Sequence, residues 1–194
     1  MAIEAARLLY HKRAAEYIDA KEQAALSLGI STMPSNFEVA VELDRYAQEM
    51  EESERYEMVV QMRKAALKVM RLISRFEPRL TGSVWRGTPR EGSDIDIIVF
   101  HNCPHEIKDK ISEAYEVLGM DTETFNKGGM LCHSTHIRLE VEGHPMEIVV
   151  RPLSEKEQER CEIYGDIKKG IDLLGLERLI KSDPLRRFIP RRRS

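Results

Sequence analysis

Long hydrophobic runs, paired cysteines and an excess of one charge are all absent from this sequence of 194 residues. No apolar run approaches the roughly 18 residues that a membrane-spanning helix needs. The N-terminus MAIEAARLLY lacks the basic start and the cleavage site of a secretory signal. We therefore expect a cytoplasmic protein without a membrane partner. A formal net charge of -3 indicates no overall polyanion-binding surface, so any affinity for nucleic acid must come from local patches.

The cysteines also exclude a disulfide framework. Three of them, Cys103, Cys132 and Cys161, are widely spaced and odd in number, which is typical of reduced thiols in a cytosolic protein. A zinc site would combine them with the histidines of HNCPH and CHSTH, namely His101, His105, His133 and His136. Neither cluster has the paired CxxC or HxxxH spacing of a zinc scaffold, so we predict ordinary thiols and histidines.

The composition, 42% hydrophobic and 32% charged, is that of a folded protein whose length suits one catalytic unit with helical additions. We predict an N-terminal helical region over residues 1–77, a core over 78–153, and C-terminal helices with a basic tail over 154–194. The fold class expected is α+β, with a small mixed sheet, flanking helices and an N-terminal helical layer.

Two helices are predicted before residue 55. The stretch from Ile3 to Leu28 is rich in helix-forming residues and precedes Gly29, so we expect a single helix there. Ser35 and Glu38 form a capping-box pattern that starts the next helix. The sequence leaves open whether this second helix continues or bends in the acidic stretch 51–54.

The segment from Arg55 to Phe76 has the clearest helical periodicity. Its apolar positions recur three and four residues apart and predict a buried stripe, made of Val59, Met62, Ala66, Val69, Ile73 and Phe76. A basic face lies opposite, made of Lys64, Lys68, Arg71 and Arg75. That face is either a phosphate-binding surface or simply a solvated one.

After Pro78 the pattern becomes extended. Strands are predicted from Asp94 to Phe100 and from Thr122 to Phe125, and THIRLEV and PMEIVV form two antiparallel strands joined by a tight turn. A helix from Pro104 should present Ile107, Ile111, Tyr115 and Leu118 on one side. Residues 127–129 form a turn-like segment. Ser154 to Leu174 and Leu176 to Lys181 are predicted helices, before a basic end made of Arg186, Arg187, Arg191, Arg192 and Arg193.

Asp94 and Asp96 are the first candidate functional residues. Residues two apart in a strand point to the same face, so both carboxylates project together while Ile95 and Ile97 point to the core. Carboxylates roughly 6.5 Å apart along a strand can share two cations about 3.5 to 4 Å apart. Mg²⁺ is the ion expected where few carboxylates act together with substrate phosphates. Alone, an Asp-x-Asp pair also occurs at solvated strand ends and in glycosyltransferase metal sites.

The segment RLTGSVWRGTPREGSDIDIIVF supplies a phosphate-binding element upstream of the carboxylates. Gly82 lets phosphate oxygens approach the backbone, Ser83 adds a hydroxyl donor, and the amides at a helix start favour an anion. Arg86, one turn further on, is predicted as a phosphate ligand. A phosphate cradle followed by metal-binding carboxylates is what transfer from a nucleoside triphosphate requires.

The run from Leu80 to Phe100 resembles the signature of the polymerase β nucleotidyltransferase superfamily, and GSVWRGT with SDIDIIV is similar to the catalytic domain of archaeal CCA-adding enzymes. The resemblance covers roughly residues 76–151. It implies a third carboxylate on a neighbouring strand, and Glu147 stands at the matching position, where related families more often have Asp. By this resemblance Gly82, Ser83 and Arg86 hold the triphosphate, while Asp94, Asp96 and Glu147 are catalytic and bind metal.

The reaction implied is transfer of a nucleoside monophosphate, AMP from ATP, to a hydroxyl acceptor with two Mg²⁺ ions and release of pyrophosphate. An RNA acceptor would contact the basic helix face and the Arg-rich tail, and a protein or small-molecule acceptor stays open. The alternative is a catalytically degenerate domain of the same fold that binds nucleotide, RNA or a protein partner. A glycosyltransferase would not require the Gly-Ser cradle.

Overall fold

The computed structural model describes residues 1–127, 130–156, 161, 163–166 and 170–190. The chain divides into two compact units. Among the described residues, one unit contains 1–55, 161, 163–166 and 190, and the other contains those from 56 to 156 and from 170 to 189. The helix over 56–72 therefore belongs to the sheet-containing unit, where it supplies part of the core.

The N-terminal unit contains helices α1 (Ala2–Tyr10) and α2 (Tyr17–Leu28) and the beginning of α3 (Asn36–Leu72). The single helix predicted over residues 3–28 is thus wrong. Lys12, at φ 54, adopts the left-handed conformation between α1 and α2, and helix-favouring residues on both sides hide this break in the sequence. Buried alanines allow the helices to approach closely, and they are Ala5, Ala6, Ala20 and Ala24.

The predicted capping box at the start of α3 is confirmed. The amide of Ser35 donates to Glu38 Oε2 at 2.9 Å, and the amide of Glu38 donates to Ser35 Oγ at 3.2 Å. The helix has non-helical backbone at Glu52 (φ 41, ψ -120). The sequence left open whether this helix continues or bends in the acidic stretch 51–54, and the structure shows that it bends there.

The second part of α3 carries Val59, Met62, Ala66 and Val69 of the predicted apolar stripe, and Ile73 and Phe76 follow the helix. All six residues are buried. The helix ends at Leu72 and is followed by a 3₁₀ turn, Ser74–Phe76, and by Glu77 at φ 52. Pro78 follows directly. This left-handed residue and the proline turn the chain into the first strand.

A six-stranded sheet forms the centre of the second unit, in the order β3-β4-β5-β2-β1-β6. The strands are β1 (Arg79–Leu80), β2 (Ile95–Phe100), β3 (Val117–Lys127), β4 (Met130–Val141), β5 (His144–Arg151) and β6 (Ile171–Asp172). Strands β2 and β5 run parallel, and the other pairs among these six strands are antiparallel. Helices α4 (Gly82–Arg86), α5 (Pro104–Ser112) and α6 (Leu173–Ser182) flank the sheet. The predicted α+β fold with a mixed sheet is confirmed.

The β4–β5 hairpin matches its prediction. Glu142 (φ 54) and Gly143 (φ 80) both have positive φ, which is the geometry of the two-residue turns that suit the twist of paired strands. Val141 and His144 are register partners on either side. The turn therefore fixes which residues of β4 and β5 face each other.

The region after Pro104 differs in part from its prediction. Ile107 and Ile111 are buried on α5, but the helix ends at Ser112. Leu118 lies in β3 and is 63% exposed, so it is not part of that apolar face. The predicted strand at Thr122 is confirmed within the longer β3, while residues 128 and 129 of the predicted turn lie outside the described residues.

The long helix predicted over residues 154–174 is wrong in the described part of that range. Leu153–Glu155 form a 3₁₀ turn and Ile171–Asp172 form β6. Gly170 has φ 58, and a Cβ there would lie 2.6 Å from the carbonyl oxygen of Leu80. Close pairing of β6 with β1 thus overrides the local helical preference. The helix predicted at Leu176–Lys181 is confirmed within α6.

The two faces of the sheet differ in chemistry. On the core face the alternate residues of β2 and β5 are buried, and they are Ile95, Ile97, Val99, Met146, Ile148 and Val150. The opposite face carries Asp96, Glu147, His136 and Arg138. Within the described residues, no helix is long and apolar enough to cross a membrane.

Candidate active site

The carboxylate of Asp96 lies directly against the backbone of Gly82. Gly82 has φ 64, and an ideal Cβ built on it would lie 1.8 Å from Oδ2 of Asp96. The amide of Thr81 donates to the carbonyl oxygen of Asp96 at 2.8 Å. The predicted phosphate cradle and the predicted metal ligand are therefore brought together, and only glycine fits between them.

Asp96 and Glu147 are neighbours across the parallel pair of β2 and β5. They are direct register partners, so their Cα atoms stand about 4.8 Å apart and their side chains leave the same face. Both side chains are half-buried. Two carboxylates so placed repel each other, which a bound cation would relieve.

Asp94 lies immediately before β2 and is exposed. A tight turn precedes it, in which the amide of Arg90 donates to Ser93 Oγ at 3.0 Å and the amide of Ser93 donates to the carbonyl oxygen of Arg90 at 2.9 Å. The turn leads the chain into β2 with Asp94 two residues before Asp96. The sequence predicted both aspartates inside the strand, whereas the structure places Asp94 immediately before the strand begins.

Glu147 has basic neighbours on β4 that the sequence analysis did not identify. His136 Nδ1 lies 3.1 Å from Glu147 Oε1, and Arg138 Nη1 lies 3.9 Å from the same oxygen. The two-residue turn at 142–143 sets Arg138 opposite Glu147. This pairing was therefore predictable from the hairpin register once the turn had been recognised.

Acidic side chains on β3 contact these two basic residues. Arg138 donates to Asp121 Oδ2 at 3.0 Å, and this hydrogen bond and the charge of Asp121 raise the pKa of the Arg138 guanidinium. His136 Nε2 lies 2.9 Å from Ser134 Oγ and 3.8 Å from Glu123 Oε2. Glu147 Oε1 thus lies at the edge of a network of acidic and basic side chains that extends over three strands.

The residues fit a metal only in part. The carboxylate of Asp96 lies against Gly82 where a Cβ would otherwise stand, and Asp96 and Glu147 provide oxygen ligands of the kind that Mg²⁺ prefers. Among the described residues, however, no group of three or more His, Cys, Asp or Glu side chains is arranged to hold a metal ion. Binding through Asp94, Asp96 and Glu147 stays a prediction, and it requires Glu147 to offer its second oxygen, Oε2.

The other predicted phosphate ligands differ in accessibility. Ser83 is half-buried in the first turn of α4, and its carbonyl oxygen accepts from the amide of Thr88 at 2.9 Å. Arg86 is only 4% exposed. Its Nη1 donates to the carbonyl oxygen of Phe188 at 2.9 Å, and its guanidinium group lies 4.6 Å from the ring centre of Trp85. The structure thus places Arg86 in contact with the C-terminal segment.

Some side chains of the two predicted RNA-binding features, the basic helix face and the Arg-rich tail, already contact other residues of the protein. On the basic helix face, Lys68 pairs with Glu142 and Arg71 pairs with Glu177. At the basic end, Arg186 and Arg187 are exposed, while Phe188 packs against the core. The remaining arginines of the tail, 191–193, lie outside the described residues.

The three cysteines, all within the described part of the chain, form no disulfide bond, as predicted. No metal-binding group of His and Cys side chains is found in the described ranges either.

The fold and the site define a class of protein: a small α+β domain that places a glycine-containing turn against carboxylates on adjacent strands. The chain belongs to the nucleotidyltransferase domain family, whose model matches residues 62–174. The match begins within α3 and ends in α6. It includes every predicted site residue, so the family predicted from the sequence is confirmed.

Several solved structures are similar to part of the chain. Cid1 in complex with the UTP analog UMPNPP has 15% sequence identity and a TM-score of 0.35, over 56% of this chain and 36% of that one. A cytoplasmic RNA terminal U-transferase has 14% identity and a TM-score of 0.34, over 55% of this chain and 35% of that one. The chain thus spans about a third of the length of these proteins. No curated protein sequence matches it.

Proposed function

We propose that this protein transfers a nucleoside monophosphate, AMP from ATP, to a hydroxyl acceptor and releases pyrophosphate. Gly82 and Ser83 bind the triphosphate, and Asp94, Asp96 and Glu147 bind Mg²⁺. Membership of the nucleotidyltransferase family supports the reaction class. We further propose that the protein acts in the cytoplasm.

The contact between Gly82 and Asp96 carries this proposal. A side chain at position 82 would meet Asp96 Oδ2 at 1.8 Å, so the absence of a side chain lets this carboxylate lie directly against the backbone at the start of α4. Phosphate oxygens need close access to backbone amides, and a metal-binding carboxylate must lie within reach of the same phosphates. The segment after β1, with Gly82 and Ser83, would meet the first requirement, and Asp96 near the start of β2 would meet the second.

The roles of the chain's own residues follow from this geometry. The backbone at Gly82 and the hydroxyl of Ser83 would orient the triphosphate, while Asp96 and Glu147 fix the position of the reacting phosphate from the neighbouring strands. Bound Mg²⁺ would supply charge neutralisation and a more acidic acceptor hydroxyl. The nucleophile belongs to the acceptor. Catalysis by the protein is then mainly positioning and electrostatics.

RNA is the acceptor that we propose. The exposed face of α3 presents Lys64, the following 3₁₀ turn presents Arg75, and the tail adds the three arginines at 191–193. Phosphate contacts made by such groups carry no sequence information and position the strand. A protein hydroxyl is the competing acceptor, and the assay below separates the two.

The experiment is a transfer assay with each α-³²P-labelled nucleoside triphosphate, Mg²⁺, and either total RNA or total protein as acceptor. We expect label from ATP in RNA, with one pyrophosphate released per nucleotide added. Asp96→Asn serves as the inactive control. Label in the protein fraction would identify a protein hydroxyl as the acceptor. Incorporation of a different labelled nucleotide would identify a different nucleoside triphosphate as the donor.

A second candidate is a nucleotide-binding domain without transferase activity. It is favoured by one observation: Glu147 Oε1 already lies 3.1 Å from His136 Nδ1. Calorimetric titration with ATP and Mg²⁺ separates the candidates when combined with the assay. Binding without pyrophosphate release, for every acceptor tried, supports the second candidate.

A further inference from the structure

Arg63 is a completely buried arginine on α3 that contacts the helix of the proposed nucleotide site. It is 0% exposed. Its Nε donates to the carbonyl oxygen of Val84 at 3.1 Å, and its Nη2 donates to that of Trp85 at 2.9 Å. Both acceptors belong to α4, which begins at Gly82. Arg63 thus holds the helix whose first residues form the proposed phosphate cradle.

The same guanidinium group also holds a C-terminal segment. Nη1 donates to the carbonyl oxygen of Pro184 at 2.6 Å, and Nη2 donates to that of Arg186 at 3.0 Å. We name residues 184–188 the C-terminal strap. Burial lowers the pKa of Arg63 to about 10, which reflects the cost of taking its charge out of water. Backbone carbonyls at the end of α4 and in the strap offset this cost.

The strap contacts α4 independently of Arg63. The amide of Phe188 donates to the carbonyl oxygen of Arg86 at 2.9 Å, and Arg86 Nη1 donates to that of Phe188 at 2.9 Å. The rings of Phe188 and Trp85 stack with centroids 6.1 Å apart and an interplanar angle of 23°. A Cβ on Gly87, which has φ 74, would lie 2.9 Å from the carbonyl oxygen of Arg186. The two backbones therefore approach closely.

Helix α4 needs such support because it has only 5 residues. A helix of this length is not stable in water by itself, so tertiary contacts must determine its position. Those contacts include the hydrogen bonds from Arg63 and the hydrogen bonds and ring stacking with the strap. A shift of α4 would move Gly82 and Ser83 relative to Asp96. Because the carboxylate of Asp96 lies directly against Gly82, even a small shift would disturb this contact.

We propose that Arg63 and the C-terminal strap position α4 and thereby set the affinity of the protein for the nucleoside triphosphate. Arg63 is a positioning residue that does not touch the nucleotide. The inference rests on the proposed function, since it assumes that Gly82 and Ser83 bind the triphosphate. It also assigns the strap a role that differs from the binding of RNA.

The first test compares two buried arginines. Arg63→Met removes the contacts to α4, whereas Arg55→Met removes an arginine that is 3% exposed and pairs with Asp44 at 2.6 Å in the N-terminal unit. Both variants are expected to melt at lower temperature. Only Arg63→Met should raise the Kd for ATP with Mg²⁺, by at least about tenfold, and speed hydrogen exchange at the amides of Trp85 and Thr88, whose acceptors are Thr81 and Ser83.

The second test works even if Arg63→Met does not fold. Phe188→Ala removes the ring that stacks on Trp85, and Leu185→Ala, at a position 39% exposed in the same strap, is its control. Trp85 is the single tryptophan of the chain, so its fluorescence reports on α4 alone. Phe188→Ala should shift the emission to longer wavelength, and it should raise both the Kd and the KM for ATP with little change in kcat. Leu185→Ala should change none of these.

The outcomes are distinguishable. Faster exchange in α4 together with weaker ATP binding, in Phe188→Ala but not in Leu185→Ala, supports the inference. Wild-type ATP affinity in a folded Phe188→Ala protein with a shifted Trp85 emission overturns it and leaves the proposed function intact. A wild-type protein that binds no nucleoside triphosphate at all contradicts the proposed function, and the inference is then rejected together with it.

Discussion

Asp96 on β2 and Glu147 on β5 are direct register partners in the parallel pair of strands at the centre of the sheet. Their carboxylates leave the same face of the sheet, and the carboxylate of Asp96 lies beside the backbone of Gly82. Glu147 is held from the other side by His136 on β4. The proposed site is thus built from adjacent strands and a turn, so each of its groups can be tested by a separate substitution.

Replacing Asp96 with asparagine should abolish transfer and leave the fold intact. The lost metal ligand removes several kcal/mol of transition-state stabilisation, so we expect the rate to fall by at least about 100-fold. Without metal, the melting temperature should stay the same or rise, because repulsion with Glu147 is relieved. The assay of labelled nucleotide transfer and a thermal melt check both expectations.

Asp121→Asn is the matched control, since Asp121 lies on β3 of the same sheet and pairs with Arg138. It should retain transfer. Near-normal transfer by Asp96→Asn would show that the proposed metal site is wrong.

Replacing Gly82 with alanine should block binding of the triphosphate. The new Cβ would lie 1.8 Å from Asp96 Oδ2, and the positive φ of 64 adds strain to any side chain there. Gly29→Ala separates the two effects, because Gly29 has the same φ of 64 but a Cβ added to it would have nothing within 4 Å. Both variants should lose roughly 1 to 2 kcal/mol of stability from backbone strain. Calorimetry should show loss of ATP binding for Gly82→Ala alone, and wild-type affinity in that folded variant would remove the cradle from the proposal.

The hydroxyl of Ser83 is expected to donate a hydrogen bond to the triphosphate. Ser83→Ala should therefore weaken ATP binding by roughly 1 to 2 kcal/mol, the cost of one hydrogen bond to a charged group. Ser83→Thr keeps the hydroxyl and should bind more tightly than Ser83→Ala. Equal affinities for the alanine variant and the wild type, measured by calorimetry, would argue against this contact.

The basic tail is expected to contact RNA without contributing to the nucleotide site. Replacing Arg191, Arg192 and Arg193 with glutamine should flatten the salt dependence of RNA binding by up to about three phosphate contacts. ATP affinity should not change, because the strap ends at Phe188 and stays in place. Titrations of RNA at several salt concentrations check the slope. An unchanged slope would leave the tail as a solvated segment.

Several features of the site could be predicted from local sequence. Alternation in β2 placed Ile95 and Ile97 in the core, and the turn at Glu142 and Gly143 sets the hairpin register that puts Arg138 opposite Glu147. The spacing of Gly82 and Ser83 from the aspartates predicted the family, which the domain match confirms. The roles of these residues in binding and catalysis stay predictions.

Other features could not be predicted because they depend on contacts between distant residues. Arg63 stands next to Lys64 in a segment whose basic residues suggested a solvated surface, yet it is completely buried. Its acceptors Pro184 and Arg186 are 121 and 123 positions away. Local periodicity cannot show that backbone carbonyls from the end of the chain will replace water around a charge.

The sequence by itself therefore determined the central strand β2, the β4–β5 hairpin and the start of α3, because strand alternation, turn geometry and helix capping act over a few residues. Tertiary structure decided where α4 lies and why the predicted helix near Gly170 is replaced by β6. In each case a hydrogen bond or a close backbone approach between distant segments outweighs local preference, since a buried polar group must find a partner wherever the fold provides one.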